Sequence, residues 1–130
     1  MKAWASPLGA VACAGLMTAA AMAQTTGRVD SGRALLANRA ETGCVLCHQV
    51  PGLSAGGDLG PPLVGLSRLG GAEALRQRIA DARRFNPQTI MPPYLSTEGL
   101  QEVAAAHRGQ TVLTPQGLDD IVAYLMQVAR

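Results

Sequence analysis

Five consecutive residues, Cys44-Val45-Leu46-Cys47-His48, constrain this chain more than any other feature. The spacing C-x-x-C-H is the attachment pattern of a c-type haem. Chemistry explains the spacing. Each thiol adds across a vinyl group of the porphyrin and becomes a thioether. Two intervening residues let both cysteines reach one edge of the ring. The adjacent imidazole is then held beneath the iron, where a ring nitrogen can bind it. With Cys and His each near ~2% of residues, a chance match in a chain of this length is on the order of one in a thousand. The competing reading is half of a zinc site, which needs about four ligands. After the motif the sequence offers only His107 and scattered carboxylates.

The amino terminus agrees with such a group, because c-type haems are attached outside the cytoplasm. Met1-Lys2 is a short positive start, and Trp4 to Ala20 carries no charge. Ala21-Met22-Ala23 is an A-x-A cleavage pattern, so residues 1–23 read as a signal peptide and the mature chain begins at Gln24. A membrane anchor is the alternative. The run is rich in Ala and Gly and carries Pro7, which makes a weak span, and no stable membrane insertion is expected. Lipidation at Cys13 is a second alternative, opposed by the lack of a leucine three residues earlier. Cys13 leaves with the leader, and Cys44 and Cys47 are used by the haem. The mature chain then has no free thiol and no cysteine nucleophile of its own, and no catalytic residue is assigned to it.

Residues 24–30 read as a tail and 31–130 as one small domain. Aromatic content is only 3%, which suits a fold whose largest buried body is not a side chain. A formal net charge of +2 is too small to argue for nucleic acid. The class is all-α, three or four helices with Gly- and Pro-rich loops, since no segment alternates like a strand. The first helix is expected over 32–42, capped by Asp30 or Ser31 and stopped by Gly43. The second runs over 71–84, with Leu75, Ile79 and Ala82 as its buried stripe. A short one over 97–106 includes Leu100, Val103 and Ala104. The last is the clearest. Thr114 caps it, Pro115 suits its first turn, Asp119 and Asp120 sit near its positive end, and Leu118, Ile121, Val122, Leu125 and Val128 form its apolar face.

The iron needs a ligand opposite His48. Outside the leader the candidates are Met91, Met126 and His107. Met126 lies inside the terminal helix, where methionine usually packs the core. Met91 sits in the stiff loop Ile90-Met91-Pro92-Pro93-Tyr94 and is favoured; His107, beside Arg108, is the runner-up. A His/Met pair raises the reduction potential, which suits an electron acceptor. Within Gly60-Pro61-Pro62-Leu63-Val64-Gly65, the Pro61 carbonyl is placed to accept a hydrogen bond from the outer nitrogen of His48, which would set its tautomer and basicity. Arg76, Arg78, Arg83 and Arg84 cluster on or just after the second helix. They read equally as a docking face, as a clamp for haem propionates or as a solvated face.

The order helix, CVLCH, GPPLVG, helix, MPPY loop and terminal helix with Tyr124 resembles the class I cytochrome c fold. More narrowly, Gly57 to Leu63, Arg78 to Tyr94 with its NP-x-TIMP-x-Y stretch, and Leu113 to Leu125 resemble the SoxX family. These are the small cytochrome subunits of the sulfur-oxidation complex SoxAX. The resemblance covers nearly all of the mature chain, and Ser96 to Gln110 is its least similar part. It implies one covalent haem c on Cys44 and Cys47, with His48 and Met91 as axial ligands. It implies a periplasmic location and a SoxA partner that carries the active site. The complex would join thiosulfate to a cysteine of SoxY, an L-cysteine S-thiosulfotransferase reaction. This chain would be its non-catalytic subunit, passing electrons singly to a soluble cytochrome c. Two alternatives stand beside it. One is a free-standing periplasmic mono-haem carrier to an oxidase or other redox partner. The other is a haem sensor whose Met91 is labile enough to admit carbon monoxide.

Overall fold

The computed structural model describes residues 27–129. The expected signal peptide, its expected cleavage site and Cys13 lie outside them. Within them are four α-helices: α1 (Val29–Ala37), the single turn α2 (Cys44–Cys47), α3 (Gly71–Ala80) and α4 (Pro115–Val128). Three short 3-10 turns cover Leu66–Leu69, Ala82–Arg84 and Ala105–His107, and no strand occurs among the described residues. The chain is all-α, and none of the helices described is long and apolar enough to cross a membrane.

The terminal helix forms for the expected reasons. Thr114 Oγ1 accepts the N–H of Gly117 at 3.0 Å, and Pro115 occupies the first turn. Leu118, Ile121, Val122 and Leu125 are buried, joined by Tyr124. This face packs against α1, which contributes Leu36. The two backbones nearly touch where they cross. A Cβ on Gly32 would overlap the carbonyl oxygen of Asp120, so only glycine fits there.

Helix α1 begins at Val29 and ends at Ala37, earlier at both ends than the 32–42 expected. At its start, the N–H of Arg28 donates to Asp120 Oδ1 at 2.7 Å, so a buried carboxylate from α4 takes the part assigned to Asp30 or Ser31. At its end, Asn38 Oδ1 accepts the N–H groups of Ala40 and Glu41, at 3.2 and 3.1 Å, and turns the chain away. Gly43, with φ 67°, opens α2 instead of closing α1. Helix α3 also stops early. Asp81 breaks it, and its carboxylate accepts the backbone N–H of Arg83 to start a separate 3-10 turn. The helix expected over 97–106 does not form. Gly99 and Glu102 both take left-handed backbone, with φ 69° and 54°, and Leu100 has no core to face.

Asp120 is 2% exposed and held by the Arg28 N–H, the Arg28 guanidinium at 3.3 Å and the Gln116 amide at 2.7 Å. Burial pushes its carboxyl up, but these hydrogen bonds together outweigh that and hold it below the ordinary carboxylate value. A folded pKa lowered below the unfolded value, about 3.9, gives stability that is present above that pH and lost as pH falls through the folded pKa. Asp120→Ala should therefore destabilise by about 1–3 kcal/mol at neutral pH. The gap from wild type in denaturant melts should narrow as the pH falls below the ordinary carboxylate value and Asp120 takes up its proton. A gap that stayed constant to pH 2 would contradict the assignment.

Candidate haem site

One large cavity, about 990 Å3, opens between α2, α3 and the loops on either side of α3. Its wall is mostly aliphatic. Leu36 comes from α1, Leu75 and Ile79 from α3, and Ile121 from α4. Cys44, Cys47, His48, Pro61 and Met91 all line it. The two cysteines are half-buried and not bridged to each other. One turn of helix presents them, begun by the left-handed Gly43 and closed by the His48 N–H to the Cys44 carbonyl at 3.0 Å.

His48 Nδ1 lies 2.7 Å from the Pro61 carbonyl oxygen. A carbonyl can only accept, so Nδ1 carries the proton and Nε2 is left with its lone pair. The loop that supplies Pro61 is strapped to the motif by its own backbone. Gly57 N–H donates to Val45 O, Gly60 N–H to Cys47 O and Leu63 N–H to Gln49 O, at 3.0, 2.8 and 2.8 Å.

The loop bearing Met91 is fastened at its C-terminal end to two separate parts of the chain. The N–H groups of Tyr94 and Leu95 both donate to Ala80 O at 3.0 Å, tying the loop to the end of α3. The Tyr94 hydroxyl is buried and donates to Thr42 O at 2.8 Å, just ahead of the cysteine turn, and lies 3.8 Å from Cys44 Sγ. Burial pushes the Tyr94 phenol well above its ordinary value, so it stays protonated and a donor. Met91 itself donates its N–H to Thr89 Oγ1 at 3.2 Å.

His107 is elsewhere. It is exposed on the 3-10 turn Ala105–His107 and borders a separate polar cleft of about 310 Å3 with Glu102 and Arg108. Of the three candidates for the position opposite His48, only Met91 lines the large cavity. Met126 packs against the core. No group of three or more His, Cys, Asp or Glu among the described residues could hold a metal ion.

The arginines divide. Arg76 Nε pairs with Asp119 Oδ1 at 2.7 Å and ties α3 to α4. Arg83 grips Asp81 through two nitrogens at 2.8 and 2.6 Å and reaches Glu98 O at 2.8 Å. Charge reversal at either would disturb the fold before any docking. Arg78 differs. It lines the cavity, its guanidinium stacks 4.4 Å from the centre of the Phe85 ring, and its buried Nε has no hydrogen-bond partner. Arg68 also lines the cavity.

These residues fit a haem. An aliphatic chamber suits a flat apolar macrocycle, two thiols stand beside a ring nitrogen with a free lone pair, and an orphaned buried donor suits an acidic substituent. Arg78 was singled out only as one of four arginines, while Arg68 and Phe85 were not. A signal existed for Arg78: it stands three residues after Leu75, inside the apolar stripe. Arg78→Met should leave covalent attachment intact and shift the reduction potential, as a buried donor is removed. A potential equal to wild type in a voltammogram would remove Arg78 from the site.

A protein-family model described as cytochrome c matches residues 29–129. A chain of the crystal structure titled SoxXA from P. pantotrophus is similar in structure, with a TM-score of 0.69 and 25% sequence identity. The match covers 81% of this chain and 84% of that one. A search of curated proteins found no match.

Proposed function

The chain belongs to the cytochrome c family and is SoxX-like in structure, and from that premise we propose that it is the exported, single-haem electron relay of a SoxAX-type complex. The convergence of Cys44, Cys47, His48 and Met91 on one aliphatic cavity carries the reading. Cys44 and Cys47 would hold the group as thioethers. His48 Nε2, with Pro61 keeping the proton on Nδ1, and the Met91 sulfur would bind the iron. Arg78 would take up a propionate. Bound there, the haem supplies one-electron chemistry at its iron. The protein excludes water with Leu36, Leu75, Ile79 and Ile121, and it restrains both ligand loops so that little rearranges when charge arrives.

Joining thiosulfate to a cysteine thiolate through a new sulfur–sulfur bond releases two electrons. One iron takes them singly, so a relay between SoxA and a soluble cytochrome c must turn over twice for each SoxY cysteine modified. A chain whose Cys44 and Cys47 are both thioethers offers no thiol for conjugation there, which supports a conjugating site on SoxA. Partner contact is supported by Ile90 and Leu59, 75% and 67% exposed beside the cavity.

Co-expression of the full chain with a SoxA-type subunit and a haem-attachment system tests this. We expect a heterodimer, a mass for this chain raised by one haem after cleavage at Ala23, and a weak ferric band near ~700 nm from sulfur ligation. The reduced protein should ignore carbon monoxide. A haem-loaded chain that stays alone yet reduces an oxidase would return the reading to a free-standing carrier. Carbon monoxide binding would make it a sensor.

A further inference from the structure

We propose that Gly60 is a positioning residue for the His48 imidazole, which it holds in one plane; the idea rests on His48 being an iron ligand. Torsions that join a tetrahedral carbon to a flat ring have broad minima, so an imidazole does not choose its own rotation. The Pro61 hydrogen bond restrains Nδ1 but leaves the ring free to swing about the line to that oxygen. Gly60 removes this freedom. A Cβ built on it would overlap His48 Cε1 and lie 2.7 Å from Nδ1 and 2.9 Å from Nε2, where about 3.5 Å is ordinary contact. The bare α-carbon therefore lies close against the ring. Gly60 does not have the positive φ of Gly43 or Gly65, so its backbone would accept a side chain. The space beside the ring is what demands glycine. Nor can the loop readily step back, because the Gly60 N–H is bonded to Cys47 O and Gly57 is bonded to Val45 O.

The plane of an axial imidazole determines which iron orbital it overlaps, and so where unpaired spin lies in the ferric state. That gives a readout separate from turnover. Gly60→Ala and Gly57→Ala should be compared in the haem-loaded full chain. The three nearest atoms to a Cβ on Gly57 are backbone of Leu46 and Cys47, not the ring, so it strains the same loop from another side. Both variants should melt below wild type. Only Gly60→Ala should change the EPR g-anisotropy and the order of the haem-methyl proton shifts. Wild-type values in Gly60→Ala, or equal changes in both variants, would overturn the proposal. Should Gly60→Ala fail to accumulate, wild type decides. A nuclear Overhauser contact between a Gly60 Hα and His48 Hε1 is expected, and its absence overturns the proposal. Wild-type chain that carries no haem by mass would instead defeat the cytochrome reading itself.

Discussion

A chain carrying both Cys44→Ala and Cys47→Ala is expected to lose all covalently held haem and, with it, most of its native structure. The first effect is chemical: no thiol remains to form a thioether. The second follows from magnitudes. Without the group, the aliphatic wall of a 990 Å3 chamber faces water at about 25 cal/mol per Å2 of apolar surface, a loss that weighs heavily against the ~5–15 kcal/mol that a whole domain possesses. The group is thus as much a part of the core as any helix, and its binding energy is folding energy. Denaturing mass spectrometry should find the bare polypeptide mass, and circular dichroism should show a weak, broad melt. A variant that kept the added mass, or that melted cooperatively at the wild-type temperature, would refute this. Either cysteine alone should give an intermediate result, with one thioether and a lower midpoint.

Gly32→Val is expected to be the most damaging single change remote from the cavity. At Gly32 even one methyl would overlap the carbonyl oxygen of Asp120, so a branched side chain must push α1 off α4. Overpacking ordinarily costs about 1–3 kcal/mol. Here the obstacle is helix backbone, which cannot rotate aside, so the upper end or beyond applies. For a domain of this size, about 3 kcal/mol lowers the midpoint by roughly 10–20 °C. Gly117→Ala is the control. It is also buried between the same helices, but a Cβ there meets only side chains at 3.3 to 3.5 Å. Its helix-propensity gain of about 1 kcal/mol offsets the crowding, so it should stay near wild type. Equal losses in the two variants would mean that the crossing is looser than the geometry states.

The elements that were legible in sequence share one property: the signal is local. The start of α4 was readable because a cap, a proline and an apolar stripe act within a few residues of one another. CVLCH was readable because thioether chemistry demands a spacing. The Pro61 carbonyl was nominated from a proline-rich run, and the chain does bring it 2.7 Å from His48 Nδ1. Where reading failed, a distant partner decided. Helix α1 starts where the Arg28 N–H meets a carboxylate 92 positions later in the chain. The expected helix at 97–106 had a plausible stripe but nothing to bury it against, and left-handed backbone at Gly99 and Glu102 breaks it.

Local chemistry thus pointed to the class, the cofactor and the expected attachment point, since bond formation and helix capping depend on neighbours in the chain. Tertiary structure chose among equals. It brought Met91 to the cavity and left His107 outside it, and it separated Arg78, whose buried Nε has no hydrogen-bond partner, from Arg76 and Arg83, already paired with carboxylates. It also made glycine obligatory at 32 and 60. Contacts between residues far apart in sequence obey packing and closure of the whole chain, and no short window of residues contains that information.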